Sequence, residues 1–204
     1  MSGAPGARRI GIYGGAFDPP HLTHVALARA ALDQLALDEL RVFPTGDAWH
    51  KARTLSPAEH RIAMAEAAFG DLPRTVIDVR ETQRAGPTYT IDTLRELAAG
   101  QPGAELFLVM GADQAGALQT WHEWAEVLRL ATISLAERAP APGEPPAPPP
   151  ALPAGTRLVR LQLPPTDASA TRIREMIASG RDISGMVPAA VARYIERHHL
   201  YQPT

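Results

Sequence analysis

The chain has 204 residues, with 20 Lys+Arg against 22 Asp+Glu, a formal net charge of -2 and no Cys. Its length suits one domain, and 45% hydrophobic with 21% charged residues indicates a globular protein rather than a disordered chain. A net charge near zero argues against a general nucleic-acid binder, and the lack of Cys excludes disulfides, thiolate metal sites and thiol nucleophiles. The sequence shows no apolar run suited to a signal peptide or a membrane helix, so we expect a cytoplasmic protein without nucleic-acid or membrane partners.

Short apolar segments alternate with helix-like stretches along most of the chain. The first such stretch has the spacing of three and four residues that an amphipathic helix requires, at Leu22, Val25, Ala26, Arg29 and Leu32. Strands and helices in strict alternation predict right-handed crossovers and a doubly wound, mostly parallel α/β sheet. The predicted strands are residues 9–13, 39–43, 75–79, 105–110, 132–135 and 157–161, and the predicted helices are residues 21–37, 58–69, 91–99 and 121–130.

Two later segments break this alternation. Residues 169–179 and 188–200 are predicted as consecutive helices, with Gly180 at the C-terminal end of the first, and they would form a helical cap on the sheet that does not fold alone. Residues 140–153 hold 8 of the 20 prolines, which is typical of an extended surface loop; a proline-binding partner is the alternative. Residues 1–204 are thus expected to form a single domain.

The sequence GGAFDPPHLTH, residues 14–24, follows the first predicted strand and leads into the first helix. Ligands of parallel α/β sheets bind at the carboxyl ends of strands, and the glycines Gly14 and Gly15 let the backbone approach a ligand closely. The helix start offers N–H groups to a phosphate, and His21 and His24 share one face of its first turn. The segment predicts a phosphate cradle without the Lys-Ser/Thr pair of a P-loop; a simple turn, a metal pair or surface histidines are the alternatives.

This string resembles the signature GG-x-FDP-x-H-x-G-H of the nucleotidyltransferase superfamily. The resemblance implies that His21 and His24 contact ATP phosphates and that Gly14, Gly15 and Phe17 belong to the ATP site. In the superfamily a glycine between the histidines lets adenine pack closely, whereas this chain has Thr23 there. A β-branched side chain at that position would either crowd the nucleotide or add a hydroxyl donor.

A second segment, SATRIR at residues 169–174, resembles the S-x-T-x-I-R box with which the same superfamily closes over its nucleotide. Ser169 or Thr171 could cap the helix and donate a hydroxyl to a phosphate. Arg174 lies one turn further along and could bind phosphate oxygens with its forked guanidinium. A capped helix with solvent-facing arginines is the alternative.

Three further elements follow predicted strands and indicate the acceptor. Lys51 is a candidate phosphate contact after the second strand. In GPTYTIDTL, residues 86–94, the N–H groups at the helix start could hold a carboxylate. GAD precedes TWHEW; Asp113 suits a ribose hydroxyl, Trp121 could stack on an aromatic ring, and Trp124 is expected in the core.

Together these elements closely resemble bacterial nicotinate-nucleotide adenylyltransferases, from about Ile10 to Tyr201. The resemblance implies that main-chain N–H groups of Thr90 and His122 hold the nicotinate carboxylate while Trp121 stacks on the ring. It also implies a Rossmann-like fold and transfer of AMP from ATP, with Mg²⁺, to nicotinate mononucleotide, giving deamido-NAD and pyrophosphate. Nicotinamide mononucleotide or another phosphate acceptor remains open, as do a non-catalytic nucleotide-binding protein and a homo-oligomer.

The expected site therefore has three overlapping sets of residues. No side chain is assigned as a metal ligand, and Asp18, the carboxylate nearest to the phosphates, is expected to be a structural cap. The catalytic set is His21, His24, Lys51 and Arg174; the ATP-binding set is Gly14, Gly15, Phe17, His21, His24, Asp113, Ser169, Thr171 and Arg174; and the acceptor-binding set is Lys51, Thr88, Tyr89, Thr90, Trp121 and His122.

Overall fold

The computed structural model describes residues 6–46, 55–138, 152–164 and 168–203. Lys51 and all but the last two residues of the predicted proline-rich loop lie outside these ranges. Predictions that concern them stay predictions.

Six strands form one sheet in the part of the chain that the structure describes, with the order β3-β2-β1-β4-β5-β6. Every strand pairs in parallel with its neighbour, as the alternating sequence predicted. The chain builds one half of the sheet outward from β1 and then returns to build the other half from β4, which leaves a crevice at the carboxyl ends of β1 and β4. The strands are β1 Arg9–Gly15, β2 Glu39–Pro44, β3 Thr75–Ile77, β4 Glu105–Met110, β5 Ala131–Arg138 and β6 Leu158–Leu163.

Helices cover both faces of the sheet, and none of those described is long and apolar enough to cross a membrane. The short helices α3 and α5 were not predicted, because four or five residues carry no helical periodicity. The helices are α1 Leu22–Gln34, α2 Ala58–Phe69, α3 Arg80–Gln83, α4 Thr90–Gly100, α5 Ala112–Gly116, α6 Trp124–Leu130, α7 Ala170–Ala178 and α8 Ala189–Arg197, with a 3-10 turn at Leu118–Thr120.

Three helix boundaries differ from the predictions, and each difference has a backbone cause. Helix α8 ends at Arg197 rather than at residue 200, because His199 is left-handed (φ 51) and Leu200 donates its N–H to the carbonyl of Ile195 at 3.1 Å.

The other two boundaries belong to α1 and α6. Helix α1 ends at Gln34 rather than at residue 37, because Ala36 is left-handed (φ 46) and Leu37 donates its N–H to the carbonyl of Leu32 at 3.1 Å. Leu37 then packs in the core. Helix α6 begins at Trp124 rather than at residue 121, because Glu123 adopts a left-handed conformation that separates it from the preceding turn.

Among the residues that the structure describes, buried apolar side chains pack in three clusters. One lies between the sheet and helices α1 and α2, and a second lies between the sheet and helices α4 and α6. In the third, Ile173 of α7 and Val191 and Ile195 of α8 pack with Met64 of α2. The predicted C-terminal helix pair therefore exists, with Gly180 (φ 68) just beyond α7 as expected, and its apolar residues contact α2.

Candidate active site

A cavity of about 400 Å³ opens at the carboxyl ends of β1 and β4. It lies at the point where the strand order reverses, which is where ligands of this sheet type bind. The cavity unites part of the predicted ATP-binding set with most of the predicted acceptor-binding set. From the two sets its lining includes Gly14, Gly15, Asp113, Thr88, Tyr89, Thr90, Trp121 and His122.

The two glycines at the end of β1 differ in whether the surrounding structure leaves space for a side chain. A Cβ added to Gly15 would lie 2.8 Å from the ring of Phe17, so only glycine fits, whereas Gly14 has nothing within 4 Å of such a Cβ. Phe17 itself is 1% exposed and packs its ring edge-on against Tyr13, His24 and Phe69. The structure thus places Phe17 in the core, where it supports His24.

The two histidines of the first motif are held as a pair. Their rings stack with centroids 3.7 Å apart, and the main-chain N–H of His21 donates to Nδ1 of His24 at 3.1 Å. Because Nδ1 accepts this bond, the proton of neutral His24 lies on Nε2. The N-terminal end of α1 therefore combines an imidazole N–H donor with the positive end of a helix dipole, a combination that suits a phosphate.

Asp18 acts as an anchor for the loop between β1 and α1, in line with its expected structural role. One carboxylate oxygen accepts the hydroxyl of Tyr201 at 2.5 Å, and the other accepts the main-chain N–H of Ser56 at 3.1 Å. Burial and the adjacent Asp18 carboxylate raise the pKa of the Tyr201 hydroxyl above its ordinary value. Tyr201 is consequently a neutral donor that fastens the C-terminal end of the chain to the first motif.

The second box meets the first around the start of α1. Ser169 caps α7 by accepting the N–H of Arg172 at 3.3 Å, as predicted. Arg174 donates to the carbonyl of Asp18 at 2.8 Å and to the hydroxyl of Thr171 at 3.1 Å. Among the described residues, these side chains and the two histidines surround the start of α1 rather than line the cavity.

Thr23, which replaces the superfamily glycine, faces the second box. Its side chain is buried and its hydroxyl donates to the carbonyl of Ala168 at 3.2 Å, one residue before Ser169. The neighbouring N–H of Leu22 donates to the carbonyl of Met186 at 2.9 Å. The hydroxyl is thus bonded within the protein and ties α1 to the segment that begins α7.

The predicted acceptor-binding residues lie on two segments that face each other. Thr90 is the first residue of α4, and the first N–H groups of a helix have no partner within it. Trp121 is partly buried against the cluster on the same side of the sheet, and His122 follows it at the mouth of the cavity. The rings of Tyr89 and His122 lie 4.4 Å apart between centroids. This wall offers an aromatic surface and main-chain donors together.

Two buried charged residues were not found from the sequence. Arg61 of α2 is 4% exposed and donates to the carbonyls of Thr45 at 2.7 Å and Ala16 at 3.2 Å, so it braces the loops after β1 and β2. Its place on the apolar face of an amphipathic helix, three residues before Met64, is the signal that could have revealed it.

The other is Glu81, which lines the cavity and is 7% exposed. Its carboxylate accepts the hydroxyl of Thr93 at 2.8 Å, and a Cβ on Gly46 would lie 2.0 Å from its carbonyl oxygen. Burial raises the pKa of Glu81 to about 7, while the Thr93 hydrogen bond and the charge of Arg84 act to lower it. No local pattern distinguishes this glutamate from an exposed one.

Within residues 6–46, 55–138, 152–164 and 168–203, no three or more His, Asp or Glu side chains are grouped as a metal site would require. The residues around the start of α1 are instead donors suited to anions. Lys51 falls outside the described residues, so its predicted phosphate contact stays a prediction.

Comparison with known proteins decides the family. The sequence matches the family model described as Cytidylyltransferase-like over residues 12–176. A protein of Albidiferax ferrireducens described as "Probable nicotinate-nucleotide adenylyltransferase" is 54% identical, covering 96% of this chain and 98% of the relative. The chain belongs to the nicotinate-nucleotide adenylyltransferase family. The resemblance drawn from the two boxes and from GPTYT and TWHEW is thereby confirmed.

Other family members and solved structures agree. A Methylibium petroleiphilum protein with the same description is 47% identical, covering 100% of this chain and 96% of the relative. The structure of Plasmodium falciparum nicotinic acid mononucleotide adenylyltransferase complexed with NaAD has a TM-score of 0.77 at 17% identity, over 95% of this chain and 97% of that chain. A likeness at that identity shows the fold, which is the Rossmann-like nucleotidyltransferase fold predicted from the sequence.

Proposed function

We propose that this protein transfers the adenylyl group of ATP to nicotinate mononucleotide, producing deamido-NAD and pyrophosphate. The observation that carries the proposal is the cavity at the strand-order reversal, where the glycine loop of β1 faces Trp121 and the start of α4. A glycine loop beside a histidine-bearing helix start suits a triphosphate, and an aromatic wall with main-chain donors suits a nicotinate ring.

In the proposed reaction an oxygen of the mononucleotide's 5′-phosphate attacks the α-phosphorus of ATP. The new P–O bond forms as the bond to the β-phosphate oxygen breaks, and pyrophosphate leaves with the electron pair. The attacking phosphate is already ionised near pH 7, so the protein needs neither a nucleophile nor a strong base. Catalysis is then positioning together with stabilisation of charge on the transferring phosphoryl group.

The residues around the start of α1 supply that stabilisation. His24 would donate from Nε2, since its Nδ1 accepts the N–H of His21, and His21 stacks beside it. Arg174 is held over the same loop by its bond to the Asp18 carbonyl. Preorganised donors of this kind act without reorganising at the moment of reaction. Ser169, Thr171 and Lys51 complete the proposed phosphate contacts.

The acceptor would bind along the opposite wall. Its ring would stack on Trp121, its carboxylate would accept N–H groups of Thr90 and His122, and Thr88 and Tyr89 would border it. Asp113, in the same cavity, would accept a ribose hydroxyl of the nucleotide. Mg²⁺ is proposed to arrive with ATP and to neutralise the leaving pyrophosphate, because the described residues offer donors rather than a cluster of carboxylates.

The test is pyrophosphate release with ATP and Mg²⁺, measured in parallel with nicotinate mononucleotide and with its amide. The expected result is turnover with a large preference for the acid, because a carboxylate offers one acceptor oxygen to each main-chain N–H, whereas an amide replaces one of those oxygens by an NH2 donor. Equal rates with acid and amide would contradict the proposed carboxylate site. Release with neither acceptor would contradict the proposed function and favour another phosphate acceptor or a nucleotide-binding protein without turnover.

A further inference from the structure

The two proposed carboxylate donors belong to different elements. Thr90 begins α4, whereas His122 precedes α6, and β4 and α5 lie between them in the chain. Two N–H groups bind one carboxylate well only when their separation is held within a narrow range. Something must therefore fix the segment around His122 relative to α4.

Glu123, directly after His122, has an unusual backbone. Its φ of 48° and ψ of 41° are those of the left-handed region, which residues other than glycine adopt rarely. It ends the turn that carries Trp121 and His122, and its carbonyl accepts the N–H of Glu126 at 2.9 Å as α6 begins. The left-handed backbone of Glu123 therefore sets the angle between the segment that carries His122 and helix α6.

The Glu123 side chain is bonded to α4. Arg95 donates from Nη1 to one carboxylate oxygen at 3.0 Å and from Nη2 to the other at 2.5 Å. This is the two-bond, fork-to-fork geometry that fixes direction as well as distance. The bond from Arg95 lowers the pKa of the Glu123 carboxyl, so the pair is charged near neutral pH. On the other side of His122, its ring lies against that of Tyr89, the residue before α4.

We propose that Arg95 and Glu123 are positioning residues, a clamp that holds the His122 N–H in register with the Thr90 N–H and thereby sets the preference for a carboxylate-bearing acceptor. This inference rests on the proposed function. The side chains of Arg95 and Glu123 are 46% and 40% exposed, and exposed ion pairs contribute little to overall stability. The clamp acts on the geometry of the acceptor site rather than on folding.

The experiment compares Arg95→Gln, Glu123→Gln and the double charge reversal R95E/E123R with the wild-type enzyme. The matched control is Arg129→Gln, which breaks another exposed two-bond pair, Arg129 with Glu126, that lies within α6 alone. For each protein, kcat and KM are measured for nicotinate mononucleotide, for its amide and for ATP, together with the melting temperature.

Each single variant is expected to raise KM for nicotinate mononucleotide by about fivefold, with KM for the amide and for ATP within about twofold of wild type. The charge reversal should restore the lower KM, and the Arg129→Gln control should not change it. A lower melting temperature with unchanged KM would show a merely structural pair and would overturn the clamp. So would an equal rise in KM for acid and amide, or a failure of the charge reversal to rescue.

The wild-type protein separates this inference from the function on which it rests. If the wild-type protein turns over nicotinate mononucleotide and the two single variants match it, the clamp is wrong and the proposed function stands. If the wild-type protein does not use nicotinate mononucleotide, both are overturned.

Discussion

On the acceptor side of the cavity, the binding surface comes from Glu81, residues 88–90 and residues 121–122, which lie before and after β4 in the chain. On the nucleotide side, residues 14–24 near the start of the chain meet residues 168–201 near its end. The first surface is assembled from segments close in sequence, whereas the second requires the C-terminal helices to dock. The two sides should therefore respond to different perturbations.

Hydrogen bonds show how the nucleotide side depends on that docking. Asp18 accepts a hydrogen bond from Arg174 on its main-chain carbonyl and another from Tyr201 on its carboxylate. Thr23 adds its bond to Ala168 and Leu22 adds one to Met186. On the acceptor side, neighbouring elements are joined instead by the contact between the Tyr89 and His122 rings and by the hydrogen bonds from Arg95 to Glu123. Mutations that loosen the C-terminal helices should consequently raise KM for ATP more than KM for nicotinate mononucleotide.

The largest effect is expected from His24→Ala on the nucleotide side. Removing a preorganised imidazole donor should lower kcat by roughly 10²-fold or more while the protein stays folded. Turnover and circular dichroism are measured together, with Glu59→Gln, at an exposed position of α2, as the control. A folded His24→Ala protein with near-wild-type turnover would remove His24 from the proposed mechanism.

The acceptor side contains a buried carboxyl, that of Glu81, which should make the free energy of unfolding depend on pH. Because burial raises the pKa of Glu81 from 4.5 to about 7, the folded protein binds its proton more tightly than the unfolded chain does. This stabilisation is fully present below pH 4.5 and is lost as pH rises through about 7. Over that range the wild-type protein should lose on the order of 3 kcal/mol of unfolding free energy that Glu81→Gln does not lose.

Denaturant unfolding of both proteins at pH 5, 6, 7 and 8 measures this difference. Glu59→Gln, at an exposed position of α2, is the control and should keep the wild-type dependence. If Glu81→Gln and wild type lose stability in parallel, Glu81 does not titrate in this range.

Trp121→Ala tests the acceptor side directly. Loss of the stacking surface should raise KM for nicotinate mononucleotide by about tenfold and leave KM for ATP unchanged. Because Trp121 also packs on the core cluster, Trp121→Phe, which keeps an aromatic face, is the matched variant and should retain most of the affinity. An equal rise in KM for ATP would show that the two sides are not separate.

The smallest effect is expected at Thr23, where the two ends of the chain meet. Thr23→Val keeps the shape but removes the donor to Ala168, and it should raise KM for ATP by about threefold with little change for the mononucleotide. Thr23→Ser keeps the hydroxyl and serves as the control. Identical ATP kinetics in the Val and Ser variants would show that the hydrogen bond does not position the second box.

Much of the fold was predictable from local patterns. Apolar strands that alternate with amphipathic helices predicted the parallel sheet, and the glycines at the end of β1 predicted where the cavity opens. Trp121 and Thr90 were predicted as cavity residues because the GPTYT and TWHEW segments carry a recognisable resemblance. The boundaries of α1, α6 and α8 were missed, since left-handed turns at Ala36, Glu123 and His199 have no glycine to signal them.

By itself, the sequence determined the class of fold, the order of its elements and the family, because hydrophobic periodicity and motif residues are local properties. Only the tertiary structure decided that Thr23 bonds to Ala168, that Arg61 and Glu81 are buried, and that Arg95 holds Glu123. Each of these depends on which distant segment packs against a side chain. Burial and partner choice are set by that packing, which residue type and spacing do not encode locally.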